Sequence, residues 1–147
     1  MSRREILLVC SRAILSAVFL WAGLEKLHDP WTFAEQIAAY RVVPTSLVTL
    51  LAVALPCLEI LVGACLAVGF LTTSCGLVVT VLTTTFAGAM ASAVWRGLNI
   101  DCGCFSGAST VSWAHVAGDL VLAGMGLALL LSGPLTLSVD RWIAARR

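Results

Sequence analysis

The sequence has 147 residues, of which 60% are hydrophobic and 12% are charged, and its mean hydropathy is +1.00. Soluble domains are on average about one quarter charged, so this composition excludes an ordinary water-soluble domain. The formal net charge of +1 gives no basis for nucleic-acid binding, which needs a strongly basic surface. The length is typical of a single domain.

Four apolar runs are long enough to cross a bilayer, which takes about 20 helical residues. We predict membrane spans at 6–27, 46–70, 73–95 and 112–131. They use nearly the whole chain, so we expect one domain over 1–147, an all-α, antiparallel bundle of four transmembrane helices. Glycine, alanine and serine recur within the spans and favour close helix packing.

A short segment between the first two spans has the pattern of a helix start. Asp29 is a suitable N-cap and Pro30 a suitable first helical residue, and the segment ends before Pro44. It is too short to cross a membrane. Because its aromatic residues favour the headgroup region, we predict a short interfacial helix on the extracytoplasmic side.

Basic residues near the span ends predict the orientation, because cytoplasmic loops carry an excess of Lys and Arg. Those at the chain ends are Arg3, Arg4, Arg141, Arg146 and Arg147; those on the other side are Lys26, Arg41 and Arg96. We therefore predict both termini in the cytoplasm of a bacterium, with the chain in its inner membrane. The opposite orientation is the alternative, and it would favour metal or sensor roles for the cysteines.

The sequence Asp-Cys-Gly-Cys-Phe at 101–105 lies between the last two spans. In the predicted orientation it faces an oxidising compartment, where disulfides persist. A disulfide across a single glycine would be tight and therefore exchangeable. We expect redox chemistry at Cys102 and Cys104, with Arg96 and His115 favouring a thiolate and Asp101 opposing it.

Two other uses of this cysteine pair remain open. Cys102 and Cys104 with His115 or His28 would suit a soft cation such as Cu(I), which prefers thiolate ligands. A purely structural disulfide is the other alternative.

Glu59 lies near the middle of the second span, three residues after Pro56. Ionisable residues inside spans are costly and are candidates for function, so we expect Glu59 to accept protons or bind a ligand. The structural alternative is a bond to Arg12 or to a neighbouring hydroxyl. Cys57 is two residues away and would add an exchanging thiol.

Asp119 lies about two turns into the fourth span, and His115 lies one turn before it. This spacing places both on one helical face. They are predicted to form a proton path below the cysteine loop or a simple hydrogen-bonded pair.

Several segments together resemble the methylamine utilisation protein MauE family, which belongs with the DoxX-like four-helix membrane proteins. These segments are Gly-Leu-Glu-Lys-Leu-His-Asp-Pro at 23–30, Tyr40-Arg41 with Pro44, Leu55-Pro56 with Glu59, and Arg96-Gly97 with Asp-Cys-Gly-Cys-Phe at 101–105. The similarity runs from about residue 15 to residue 105. The family is associated with maturation of a disulfide-rich dehydrogenase subunit, beside a thioredoxin-like partner, and the resemblance implies disulfide or electron handling rather than that particular substrate.

Two positions depart from the family pattern. Ser106 intervenes before Gly107, where a glycine is expected directly after the phenylalanine, and Cys57 replaces an expected aromatic residue. The layout is also similar to the vitamin K epoxide reductase bundle, in which a membrane dithiol exchanges electrons with a quinone. A shared layout alone does not define function.

We predict an enzyme, a membrane thiol–disulfide oxidoreductase that acts as an electron-transfer maturation factor. Its partners would be the bilayer, a thioredoxin-like or cysteine-rich extracytoplasmic protein and other subunits of a membrane complex, with a membrane quinone as cofactor. The predicted catalytic residues are Cys102, Cys104, Glu59 and Cys57; the supporting residues are Asp101, Arg96, His115, Asp119 and Lys26; and the quinone-binding residues are Trp31, Phe33 and Trp113. The alternatives are a soft-metal transporter or chaperone and a structural subunit of a membrane complex.

The predicted orientation can be tested with reporter fusions. Alkaline phosphatase, which folds only where disulfides form, should be inactive when fused after residue 147 and active when fused after residue 98. A fluorescent protein that folds only in the cytoplasm is the matched control and should give the inverse pattern. An active phosphatase at the C-terminus would contradict the orientation.

Overall fold

The computed structural model describes residues 2–98, 100, 110–132 and 138–144. The helices are α1 Arg3–His28, α2 Pro30–Ala39, α3 Thr45–Val68, α4 Thr72–Trp95, α5 Trp113–Ser132 and α6 Val139–Ala144. Of these, α1, α3, α4 and α5 are long and apolar enough to cross a membrane. The predicted spans are confirmed, and the largest difference is at the first, which begins at Arg3 rather than residue 6.

The four long helices form a ring in chain order. Helix α1 packs on α3, α3 on α4, α4 on α5, and α5 returns to α1. Gly23 lies against Ile60 while Gly63 lies against Leu20, so α1 and α3 run antiparallel. We call the end where α1 and α4 finish the α2 end, and the opposite end, which carries Val139–Ala144, the α6 end.

Apolar side chains lie both inside and outside the bundle. The core cluster is Leu15, Phe19, Val62, Leu66, Cys75, Val79 and Leu129. Equally large apolar residues point outward, including Leu7, Trp21, Leu50, Leu61 and Val121. Helices that are apolar on every face suit a lipid environment, so this chain is a multi-pass membrane protein.

Small residues allow the helix pairs to approach closely. A Cβ added at Gly23 would lie 2.9 Å from the Pro56 carbonyl oxygen, and one at Gly76 would lie 2.8 Å from the Gly126 carbonyl oxygen. The Ser16 hydroxyl donates a 2.8 Å hydrogen bond across to the Gly63 carbonyl. Backbone contact of this kind is the usual basis of helix association in membranes.

The predicted short helix is confirmed as α2. The Asp29 carboxylate accepts hydrogen bonds from the Thr32 backbone N–H at 3.1 Å and from the Thr32 hydroxyl at 2.6 Å. These bonds hold the pKa of Asp29 below its ordinary value, and Pro30 occupies the first turn. Helix α2 packs mainly on α3 and buries Phe33 there.

The α6 end is closed by a capping interaction from a distant residue. The Asp140 carboxylate accepts hydrogen bonds from the backbone N–H groups of Leu71 and Thr72, both at 2.8 Å. Leu71, the N-cap of α4, makes no side-chain cap of its own. Gly69 ends α3 with φ +70°, and its carbonyl oxygen accepts a 3.2 Å hydrogen bond from the Asp140 N–H. Thus α6 is attached to the turn between α3 and α4.

Replacing Asp140 by alanine should lower the free energy of unfolding by about 1 kcal/mol, as expected for loss of a helix cap. Asp140→Asn keeps one acceptor oxygen and should lose less. Both can be measured by denaturant unfolding in detergent micelles, with Val139→Ala as the matched control. An Asp140→Ala protein as stable as that control would show that the cap is unimportant.

Candidate functional site

The centre of the site is an ion pair between α1 and α3. The Lys26 ammonium nitrogen lies 2.6 Å from Oε1 of Glu59, and the side chains are only 9% and 4% exposed. The pair therefore joins two membrane-crossing helices through a short, charge-assisted hydrogen bond. Arg12, the structural partner considered above for Glu59, is not the residue that fills this role.

The sequence predicts Lys26 to be a supporting residue near the outer end of the first span, at 6–27. In the structure, Gly23 lies beside Glu59 and Ile60, and Leu20 lies beside Gly63. In this register α1 ends level with about residue 55 of α3, so α3 continues roughly ten residues, or about 15 Å, beyond α1. Lys26 is consequently buried in the bundle although it is near a helix end. The sequence signal for this early end of α1 is Asp29, a helix N-cap directly after the first span.

Two aromatic rings complete the surroundings of the Lys26 ammonium. The nitrogen lies 5.4 Å from the centre of the Phe33 ring on α2 and 5.6 Å from that of Phe86 on α4. Both distances are within the range of cation–π attraction. The ammonium is thus held by one carboxylate and two rings from three different helices.

Asp119 on α5 adds a second acid. It interacts electrostatically with both Lys26 and Glu59. Within the part of the chain that the structure describes, Asp119 Oδ2 and Glu59 Oε2 are buried and make no hydrogen bond. We call Lys26, Glu59 and Asp119 the charge cluster. His115, the residue predicted to act with Asp119 in a proton path or a hydrogen-bonded pair, places its Nδ1 2.9 Å from the Ser112 hydroxyl.

A cavity of about 210 Å³ lies next to the charge cluster, toward the α2 end. Its wall is almost entirely apolar, and Lys26 is the charged residue in it. The lining residues are Lys26, Phe33, Gln36, Ile37, Tyr40, Val42, Val43, Leu51, Leu55, Leu82, Thr85, Phe86, Ala89 and Met90. Helices α2, α3 and α4 supply ten of these fourteen residues, the segment 40–43 supplies three and α1 supplies Lys26.

The other predicted site residues differ in their positions. Phe33 lines the cavity, whereas Trp31 and Trp113 are 79% and 57% exposed and do not line it. Cys57 is exposed while Glu59 is buried, because two residues along a helix turn the side chain by about 200°. The structure therefore does not bring Cys57 to the charge cluster.

Asp101, Cys102 and Cys104 lie outside the described residues, but both flanks of their loop are described. The Val111 N–H donates a 2.9 Å hydrogen bond to the Ile100 carbonyl. Val111 and Tyr40 also pack against a cluster that contains Met90. The two chain segments that enter and leave the cysteine loop are thus joined beside the cavity wall.

Arg96 connects the cysteine loop to α2. It caps α4 and donates hydrogen bonds to the carbonyl oxygens of Ser92 and Tyr40. Arg96, predicted as a supporting residue, therefore joins the C-terminal ends of α4 and α2 through a hydrogen bond. Among the described residues, no three His, Cys, Asp or Glu side chains are grouped closely enough to hold a metal. The alternative metal site predicted from the sequence combines His115 with Cys102 and Cys104, and these two cysteines lie outside the described residues.

Fold and site together define a polytopic helical membrane protein with a buried charge cluster near one end. The chain matches the family model of the methylamine utilisation protein MauE over residues 4–132, and it belongs to that family. The predicted resemblance is confirmed and extends beyond the segment from 15 to 105.

Three relatives are each described as methylamine utilization protein MauE. The one from Paracoccus denitrificans is 34% identical over 126 residues, covering 84% of this chain and 68% of the relative. Those from Paracoccus versutus and Methylophilus methylotrophus are 35% and 34% identical, covering 79% and 77% of this chain and 64% and 62% of theirs. The chain therefore spans about two thirds of the length of these relatives. No solved structure matches it.

Breaking the ion pair on one side should be far more harmful than removing both charges. Glu59→Met leaves an unpaired buried ammonium and should cost about 3–5 kcal/mol of stability, as should Lys26→Met for the carboxylate. The double variant Lys26→Met/Glu59→Met should recover most of that loss. Thermal unfolding in detergent measures this cycle, and strictly additive losses would contradict the pairing.

Proposed function

We propose that this chain is a membrane thiol–disulfide oxidoreductase of the bacterial inner membrane. Cys102 and Cys104 would exchange electrons with a thioredoxin-like or cysteine-rich protein on the extracytoplasmic side. The observation that carries the proposal is the attachment of the cysteine loop: Arg96, Ile100 and Val111 hold its two flanks at the α2 end. Cys102 follows Ile100 by two residues, a length of chain that reaches at most about 7 Å.

The described thiols are less suited to this exchange with a protein partner. Cys65 and Cys75 are partly or fully buried, and Cys10 and Cys57 are exposed on helices that cross the membrane. Surfaces of that kind face lipid, which a soluble partner does not reach. The pair in the loop is therefore the better candidate for contact with a client.

The exchange itself needs no further group. A thiolate of the pair attacks a sulfur of the client's disulfide, a mixed disulfide forms, and the second thiolate resolves it. The client leaves as a dithiol while the Cys102–Cys104 disulfide closes, and the reverse sequence oxidises a client. Because the relatives are described by a role in methylamine utilisation, we propose a disulfide-rich protein of such a system as the client.

The redox state of the loop can be read by maleimide gel shift on intact membranes. Cys102 and Cys104 should react only after reduction, and replacing one of them by serine should trap a mixed disulfide with the client on the other. Cys10→Ser, near the opposite end of α1, is the matched control and should change neither result. A pair that stays reduced in the cell, in a protein that co-purifies with copper, would favour soft-metal binding instead.

A further inference from the structure

The cavity at the α2 end has the size and chemistry of a site for a small ring. A cavity of about 150 Å³ lined by apolar side chains accommodates benzene, and this one measures about 210 Å³. Phe33 and Phe86 form part of its wall. An apolar ring would fill the cavity. Any polar atom of that ring would have to lie next to Lys26, the charged residue of the wall.

The helix packing explains why the cavity is there. Helices α3 and α4 are joined by the short turn after Val68 but make few contacts elsewhere along their length. The cavity lies between them farther from that turn, with Leu51 and Leu55 on one side and Leu82 on the other. Helix α2 lies over this space. An occupant could therefore enter from the membrane between helices without crossing the charge cluster.

Because Lys26 lines the cavity, the cavity favours apolar molecules that carry a hydrogen-bond acceptor. An ammonium has three N–H donors, and the ion pair with Oε1 of Glu59 uses one of them. A carbonyl oxygen of a ring in the cavity is the complementary acceptor. A quinone combines the features that the cavity selects, namely a flat apolar ring, carbonyl oxygens and an apolar tail that remains in lipid.

We propose that this cavity binds the ring of a membrane quinone, with Lys26 donating to one ring carbonyl, and that the quinone accepts the electrons of the Cys102–Cys104 dithiol. The inference rests on the proposed function. In the reaction two S–H bonds break and one S–S bond forms, while the ring gains two electrons and two protons and becomes a quinol. Lys26 gives one of these protons to the ring oxygen and recovers a proton released by the thiols.

The position of the loop supports this electron path. Tyr40 and Met90 line the cavity. Met90 belongs to the apolar cluster against which both Tyr40 and Val111, at the end of the cysteine loop, pack. Arg96, where the loop segment begins, donates to the Tyr40 carbonyl. Thus the two flanks of the cysteine loop lie beside the wall of the proposed ring site.

Binding can be measured separately from redox activity. Decylubiquinone and, in a parallel series, menadione are titrated into the purified full chain while its tryptophan fluorescence is recorded. Ala89→Phe fills the cavity, and Ala54→Leu adds similar bulk on an exposed face of α3. At least one quinone should bind saturably, about tenfold or more weakly to Ala89→Phe and equally well to Ala54→Leu.

The role of Lys26 is tested without leaving a charge unpaired. Lys26→Gln/Glu59→Gln keeps hydrogen-bonding groups in the core and should weaken binding by about tenfold, the loss of one charge-assisted bond. Cys102→Ser/Cys104→Ser should bind as the parent does but reduce no quinone. Equal binding by Ala89→Phe and the parent, or no saturable binding of either quinone, would overturn the inference.

The two proposals fail in different ways. Quinone binding with no dithiol oxidation in the parent chain would support the ring site and refute the quinone as the electron acceptor, whereas a loop that forms no mixed disulfide with a client would refute the oxidoreductase function. Mixed disulfides with a client, in a chain that binds neither quinone, would support the oxidoreductase and refute the cavity assignment.

Discussion

The structure depends on one ion pair inside the membrane. A charged side chain at the centre of a bilayer costs several kcal/mol unless it is paired, so Lys26 and Glu59 stabilise the fold only while they remain together. Their contact fixes the position of α1 along α3. The glycine at 23 allows this position, because a side chain there would collide with the Pro56 carbonyl.

The offset between the ends of α1 and α3 produces the rest of the site. Because α1 ends about 15 Å short of the start of α3, α3 presents an uncovered surface that α2 packs against. Helix α2 brings Phe33 to the Lys26 ammonium and leaves a cavity between itself, α3 and α4. The ion pair, the aromatic cage around it and the cavity are therefore consequences of a single register between two helices.

The sequence was sufficient for the spans, for α2 and for the unusual position of Glu59, because long apolar runs, the Asp29-Pro30 start signal and a mid-span acid each have a local signature. It was insufficient for Lys26, because hydropathy locates the end of a helix but not its depth in the bundle. It also could not assign faces: a helix that is apolar all round has no periodicity to show that Cys57 is exposed. Tertiary packing decides both properties.

The two ends of the bundle differ because their connections differ. At the α6 end, the turn after α3 is short, Gly69 takes a left-handed conformation, and the Asp140 carboxylate fixes the start of α4, so α3 and α4 are held together. At the α2 end, residues of α2, α3 and α4 line the cavity instead. Space, charge and the attached cysteine loop therefore occur together at the α2 end. In the described part of the fold, the cavity, the Lys26–Glu59 pair and the flanks of the cysteine loop are therefore near one another at this end of the bundle.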